Sequence, residues 1–172
     1  AIWWQVYPLG FVGAEIRPSV PVGERPVTSR LGHLAAWLDY ARDLGVSGLA
    51  LGPVFASNTH GYDTVDYYRI DPRLGDEGDF DALVAAAHQR GLRVLLDGVF
   101  NHVGWAHPAF QDVIERGPSS PYADWFHLEL DGWRPGTQPA ARTFEGHGDL
   151  IALNHQETAV VEMVGDVMRH WL

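Results

Sequence analysis

Three short apolar runs begin near residues 2, 47 and 92, so a strand followed by a helix recurs about every 45 residues. Ile2-Trp3-Trp4-Gln5-Val6-Tyr7 is β-prone and ends at Pro8. Val46–Leu51 is a short, mostly apolar run that reads as a buried parallel strand and stops at Gly52-Pro53. Val94-Leu95-Leu96 ends at Asp97. Helical spacing links Leu31, Leu34, Leu38, Ala41 and Leu44 before Gly45, and again Phe80, Leu83, Val84 and Ala87 before Gly91. A last helix is expected from Val160, Val161, Val164, Val167, Met168 and Leu172. Residues 9–29, 55–78 and 101–153 read as loops, the last rich in Pro, Gly and aromatics with little periodicity. Helix-to-strand turns are short and strand-to-helix connections long. That asymmetry fits an α/β barrel whose site sits on loops at the strand C-termini. A doubly wound sheet is the alternative, but no G-x-G-x-x-G, P-loop, H-E-x-x-H or G-x-S-x-G pattern occurs.

The 172 residues suffice for one domain with a sizeable core. With no cysteine, disulfides, thiolate metal sites and a cysteine nucleophile are excluded. A net charge of −10 argues against a nucleic-acid partner, which needs a basic surface, and is compatible with neutral ligands. No apolar run reaches the length of a membrane span, so no membrane partner is expected. No signal peptide is visible, but the chain starts at Ala1, so localisation stays open with the cytoplasm favoured. Seven Trp and six Tyr fit either a packed core or a sugar site, where aromatic faces meet the apolar C–H faces of the rings.

Polar residues gather at two strand ends. Asp97-Gly98-Val99-Phe100-Asn101-His102 carries Asp, Asn and His past the third strand. These place functional groups over a barrel mouth or simply cap backbone amides and close a turn. The loop Ser57–Tyr68, around His60-Gly61-Tyr62-Asp63, mixes hydrogen-bonding groups with aromatic faces. It reads as a sugar subsite or as an ordinary turn over packed tyrosines. His147, Asp149 and His155 match no zinc spacing, and no metal site is expected from them.

These clusters resemble the α-amylase superfamily, glycoside hydrolase family 13, over nearly the whole chain. Trp4-Gln5-Val6-Tyr7-Pro8 is similar to that family's first barrel strand, His60-Gly61-Tyr62-Asp63 to the loop after its second, and Asp97–His102 to its D-x-x-x-N-H region. Leu150-Ile151-Ala152-Leu153-Asn154 stands where its L-P-D-L-N region is expected. The resemblance implies that Tyr62 stacks under a glucose ring, that His60 and His102 bind its hydroxyls, and that Asp97 and Asn101 hold the end of strand three in shape. It implies that Asp63 binds a terminal glucose, as in relatives that grip a chain's non-reducing end. It further implies an α-glucan or maltooligosaccharide substrate. Trp105, Trp125, Phe126 and Trp133 pack the connection after strand three or line a cleft. Many members bind calcium through an Asp that is Ala152 here, so no cofactor is expected.

The expected fold is therefore α/β: the first three βα units of a partial (β/α)8 TIM barrel spanning 1–172, with 101–153 as a short inserted subdomain. A full barrel takes about 250 residues. The chain is thus expected to be an N-terminal segment that needs the remainder of its own barrel as partner. The resemblance puts the catalytic carboxylates beyond Leu172, so the segment alone is expected to be inactive. The parent enzyme is expected to be a retaining glycoside hydrolase of carbohydrate metabolism. A transglycosylase or isomerase of the same superfamily, or a non-catalytic carbohydrate-binding relative, is the alternative.

Overall fold

The computed structural model describes residues 1–172. It is an α/β chain of two compact units, residues 1–61 with 69–98, and residues 62–68 with 99–172. No helix is long and apolar enough to cross a membrane.

The first unit is built on strands β1 (Trp3–Val6) and β2 (Gly48–Leu51), with a short helix α1 (Pro8–Phe11) and helices α2 (Leu31–Ala35) and α3 (Leu38–Asp43) between them. Strand β3 (Phe55–Ser57) follows, and β4 (Thr64–Ile70) ends in this unit at Arg69–Ile70. Helix α4 (Glu77–Gln89) and strand β5 (Arg93–Leu96) complete it. The sheet is parallel in the order β1-β2-β5, with Leu49 opposite Trp4 and Val94. The central strand buries Leu49 fully and Leu51 to 2 % exposure, each contributing roughly 1.5–3 kcal/mol. Leu31, Leu34, Leu38, Phe80 and Leu83 pack from the helices into the same core. Ile2 and Leu95, on or beside the outer strands, remain exposed.

The expected helix over 31–44 is broken. Trp37 N–H bonds back three residues to Leu34 O (3.0 Å), tightening the turn, and a new helix starts at Leu38. Helix α4 starts ahead of the apolar pattern because Asp76 caps it. The Asp76 carboxylate accepts from Asp79 N–H, while Asp79 accepts from Asp76 N–H, a reciprocal capping box. The connection 9–29 contains α1, and 55–78 contains β3 and β4, where loop was expected.

In the second unit, β6 (His102–Gly104) leads to helix α5 (Pro108–Arg116) and small strands β7 (Leu128–Glu129), β8 (Ala140–Ala141) and β9 (Thr143–Phe144). Strand β10 (His147–Ala152) and helix α6 (Thr158–Trp171) follow. Antiparallel β10 pairs with β6, setting Ala152 opposite His102 and Ile151 opposite Val103. The β9–β10 hairpin turns on Glu145 (φ 48°) and Gly146 (φ 82°), both left-handed, the geometry of a two-residue type I′ turn. Helix α5 corrects the reading of 101–153 as aperiodic. Pro108 opens it, Ala109, Phe110 and Val113 are buried, and Gly117 at φ 52° ends it.

Two measurements test this packing in the intact gene product. A Cβ on Gly48 would lie 2.3 Å from Arg93 O and 2.8 Å from the Trp3 ring, both across the sheet. Gly48→Ala is expected to destabilise by about 1–3 kcal/mol, read from the denaturation midpoint; an unchanged midpoint contradicts the close approach. His107, the half-buried N-cap of α5, is desolvated enough to lower its pKa to about 4, with the nearby Asp66 charge opposing the shift. The folded form therefore keeps the ring neutral. The resulting stability is complete above the unfolded pKa of about 6.5 and is lost as pH falls towards 4, on the order of 3 kcal/mol. Melting His107→Gln alongside the parent between pH 7 and 4 should show a shallower acid loss in the variant. Parallel curves would refute the desolvated neutral ring.

Candidate functional site

The connection after β2 and β3 is held by two arginines. Arg73 makes a bidentate pair with Asp71, Nε to Oδ1 at 2.8 Å and Nη2 to Oδ2 at 2.7 Å, with both side chains buried. Its remaining donors reach Glu15 O (2.8 Å), Ile16 O (3.3 Å) and Ser57 Oγ (2.8 Å). Ser57 Oγ in turn donates to Asp71 Oδ2 at 3.0 Å. Arg25 donates to Ser57 O at 2.7 Å and to Asn58 O at 2.5 Å. The Tyr7 hydroxyl donates to His60 O at 2.9 Å. The backbone of His60 is thus tied to the end of β1, and its half-buried side chain stands at the end of a clamped loop.

Asp97 belongs to the same unit. Its N–H bonds Leu51 O at 3.1 Å, continuing the parallel ladder beyond β5. The residue borders a hollow of about 250 Å³ at the C-terminal ends of the three parallel strands, together with Gln5, Gly52 and Gly98. Burial raises the Asp97 carboxyl pKa above the ordinary carboxylate value.

Four of the expected residues lie in the second unit. His102 is 5 % exposed and its Nε2 is 3.0 Å from Tyr62 O. A carbonyl only accepts, so Nε2 carries the proton. Nδ1 is then the acceptor for the Asn101 side-chain amide at 3.1 Å. Both ring nitrogens are engaged. Leu153 N–H donates to Asn101 O at 3.0 Å, which extends the β6–β10 ladder by one residue beyond the Ala152–His102 pair. Tyr62 itself is 40 % exposed and presents its ring, whereas the next residue, Asp63, is buried to 1 %. The structure therefore joins Tyr62, Asn101 and His102 directly and sets Asp63 beneath the surface.

Phe144 escapes a reading of the sequence. Its ring lies 5.0 Å from that of His102, tilted by 35°, and it is 39 % exposed. The one available signal is the Glu145-Gly146 turn, which makes Phe144 the last residue before a hairpin tip. Of the tryptophans and phenylalanine noted in 101–153, Phe126 packs on Phe110 at 5.2 Å and Trp133 covers Gly117. Trp105 is exposed. Asn154 N–H holds Trp125 O at 2.7 Å, and Asn154 Nδ2 holds Asp124 O at 3.0 Å.

Ala152 offers a methyl group, not a cation ligand, on the strand paired to His102.

Comparisons with known proteins agree with one another. The family model for the α-amylase catalytic domain matches residues 23–172. An intracellular maltogenic amylase of Bacillus subtilis is 37% identical over 99% of this chain and 30% of its own length. A cyclomaltodextrinase of Geobacillus thermopakistaniensis is 36% identical over 99% of this chain and 31% of its own. The cyclic α-maltosyl-(1→6)-maltose hydrolase of Arthrobacter globiformis superposes with a TM-score of 0.83 at 36% identity, over 99% of this chain and 41% of that one. The chain spans about 30% of the length of the curated relatives it matches. With the family model running from residue 23 to residue 172, the chain belongs to the α-amylase catalytic-domain family.

Proposed function

We propose that this chain forms the first three βα units of a (β/α)8 catalytic barrel, with residues 101–153 as an inserted subdomain. The whole enzyme is a retaining glycoside hydrolase acting on α-glucosidic bonds of maltooligosaccharides or related glucans. The observation that carries the reading is the Tyr62–His102–Asn101 assembly: an exposed aromatic ring whose backbone is held by a buried histidine. The relatives named maltogenic amylase and cyclomaltodextrinase support the substrate class. The exposed apolar residues Ile2 and Leu95 support further strands as partners of β1 and β5.

In this reading the chain's residues bind and orient rather than break the bond. Tyr62 offers its face to the C–H side of a sugar ring. His60 and His102 meet hydroxyls; for His102 this requires Nδ1 to exchange the Asn101 amide for a hydroxyl donor. Asp63, buried to 1 % exposure beside Tyr62, meets a terminal glucose only if the loop that carries it opens. Asp97 and Asn101 keep the chain past β5 in shape. The reacting carboxylates, about 5–5.5 Å apart in a retaining site, come from outside residues 1–172. Contacts to the reacting ring accelerate the reaction to the extent that they strengthen in the transition state.

The test is to incubate the intact gene product with maltotriose and β-cyclodextrin and follow the anomer first released by NMR. Net reducing-end release with retained configuration is expected. Sugar transfer without net release would replace hydrolysis by transglycosylation, and binding without turnover would replace it by a non-catalytic role. Tyr62→Ala should lower kcat/KM by about tenfold to a hundredfold, a loss of roughly 1.4–2.8 kcal/mol, with an unchanged melting temperature. Full activity in that variant would remove Tyr62 from the site.

A further inference from the structure

A second concavity in the 62–68 and 99–172 unit has no part in the proposed reaction. It encloses about 310 Å³, and its walls include Asp66, Tyr67, Tyr68, His107, Tyr122 and Trp125. Tyr122 and Trp125 meet edge to face, ring centroids 5.0 Å apart at 82°, so they form a corner of two flat apolar surfaces. The corner is rigid. Trp125 N–H bonds Tyr122 O at 3.0 Å, and Trp125 O accepts from Asn154 N–H at 2.7 Å. Tyr67 is buried, with its hydroxyl donating to Val99 O at 2.6 Å. Tyr68 closes another side, 43 % exposed, with His170 edge-on at 5.2 Å.

Two polar groups border this aromatic enclosure. His107 Nδ1 accepts from Ala109 N–H at 3.3 Å, so a neutral ring carries its proton on Nε2. Asp66 Oδ1 accepts from Tyr68 N–H at 2.9 Å. One ring N–H donor and one carboxylate acceptor beside flat apolar walls are the complement of a sugar. A hexose has an apolar C–H face and a rim of hydroxyls that both donate and accept. The carboxylate and a net charge of −10 disfavour phosphorylated or other anionic ligands.

We propose that this pocket is a hexose-binding site separate from Tyr62. A single neutral glucosyl-type unit stacks in the Tyr122–Trp125 corner, donates a hydroxyl to Asp66 and accepts from His107. The inference does not depend on the hydrolytic reading. It is tested on the intact gene product with methyl α-D-glucopyranoside and maltose, using saturation-transfer NMR and titration calorimetry. Trp125→Ala and Asp66→Asn are each expected to weaken binding at this site at least tenfold, while Tyr62→Ala leaves it unchanged. Tyr68→Ala, at an exposed position, serves if Trp125→Ala lowers the melting temperature. Affinity lost only in Tyr62→Ala would place the sugar at Tyr62 alone and overturn the proposal while sparing the hydrolase reading. Absence of saturation transfer to either sugar in Tyr62→Ala would overturn it as well.

Discussion

The buried pair Arg73–Asp71 is the constraint on which the loops of the first unit depend. A guanidinium and a carboxylate removed from water are costly unless nearly every donor and lone pair is used. Here Arg73 spends its fork on the Asp71 carboxylate and its remaining donors on Glu15 O, Ile16 O and Ser57 Oγ. Segments following β1, β3 and β4 are thereby fastened to one charged centre. Arg25 extends the scheme to Ser57 O and Asn58 O. Long connections rich in Gly and Pro cannot be ordered by apolar packing alone, because their carbonyls need partners. In this chain arginine supplies those partners. Removing one member of such a pair generally costs about 3–5 kcal/mol, since the other is left charged and buried.

The parts of the fold that were legible in the sequence are those where burial imposes a period. The parallel strands at 3–6, 48–51 and 93–96 and the helices around Leu34, Leu83 and Val164 announce themselves through apolar spacing. Strand β4 does not, because Asp66 and Arg69 interrupt Val65, Tyr67, Tyr68 and Ile70 and mask any alternation. Helix α5 carried usable signals in Pro108 and Gly117, but its nine residues are lost among aromatics and turn formers. The break at Trp37 leaves no trace in the apolar spacing.

The site divides in the same way. Its residue types were legible because Asp, Asn and His after an apolar strand are conspicuous. Their relations were not. That His102 serves the Tyr62 carbonyl joins two positions forty residues apart in the chain, a relation that only the tertiary fold sets. Phe144 depends on a hairpin that closes through a glutamate in a left-handed conformation, which pattern reading does not anticipate. Nothing in the sequence marks Asp71 and Arg73, because only tertiary burial makes an ion pair in a loop important.

One detail of the His102 contact reaches further than its geometry. The histidine grips position 62 through its main-chain carbonyl and not through its ring. In the proposed site, anchorage and recognition are therefore carried by different atoms of one residue. A lineage bearing this arrangement can exchange the ring at 62 for another surface without dismantling the support beneath it. Ligand preference can then drift while the scaffold stays put, a modularity set by a single hydrogen bond to a carbonyl.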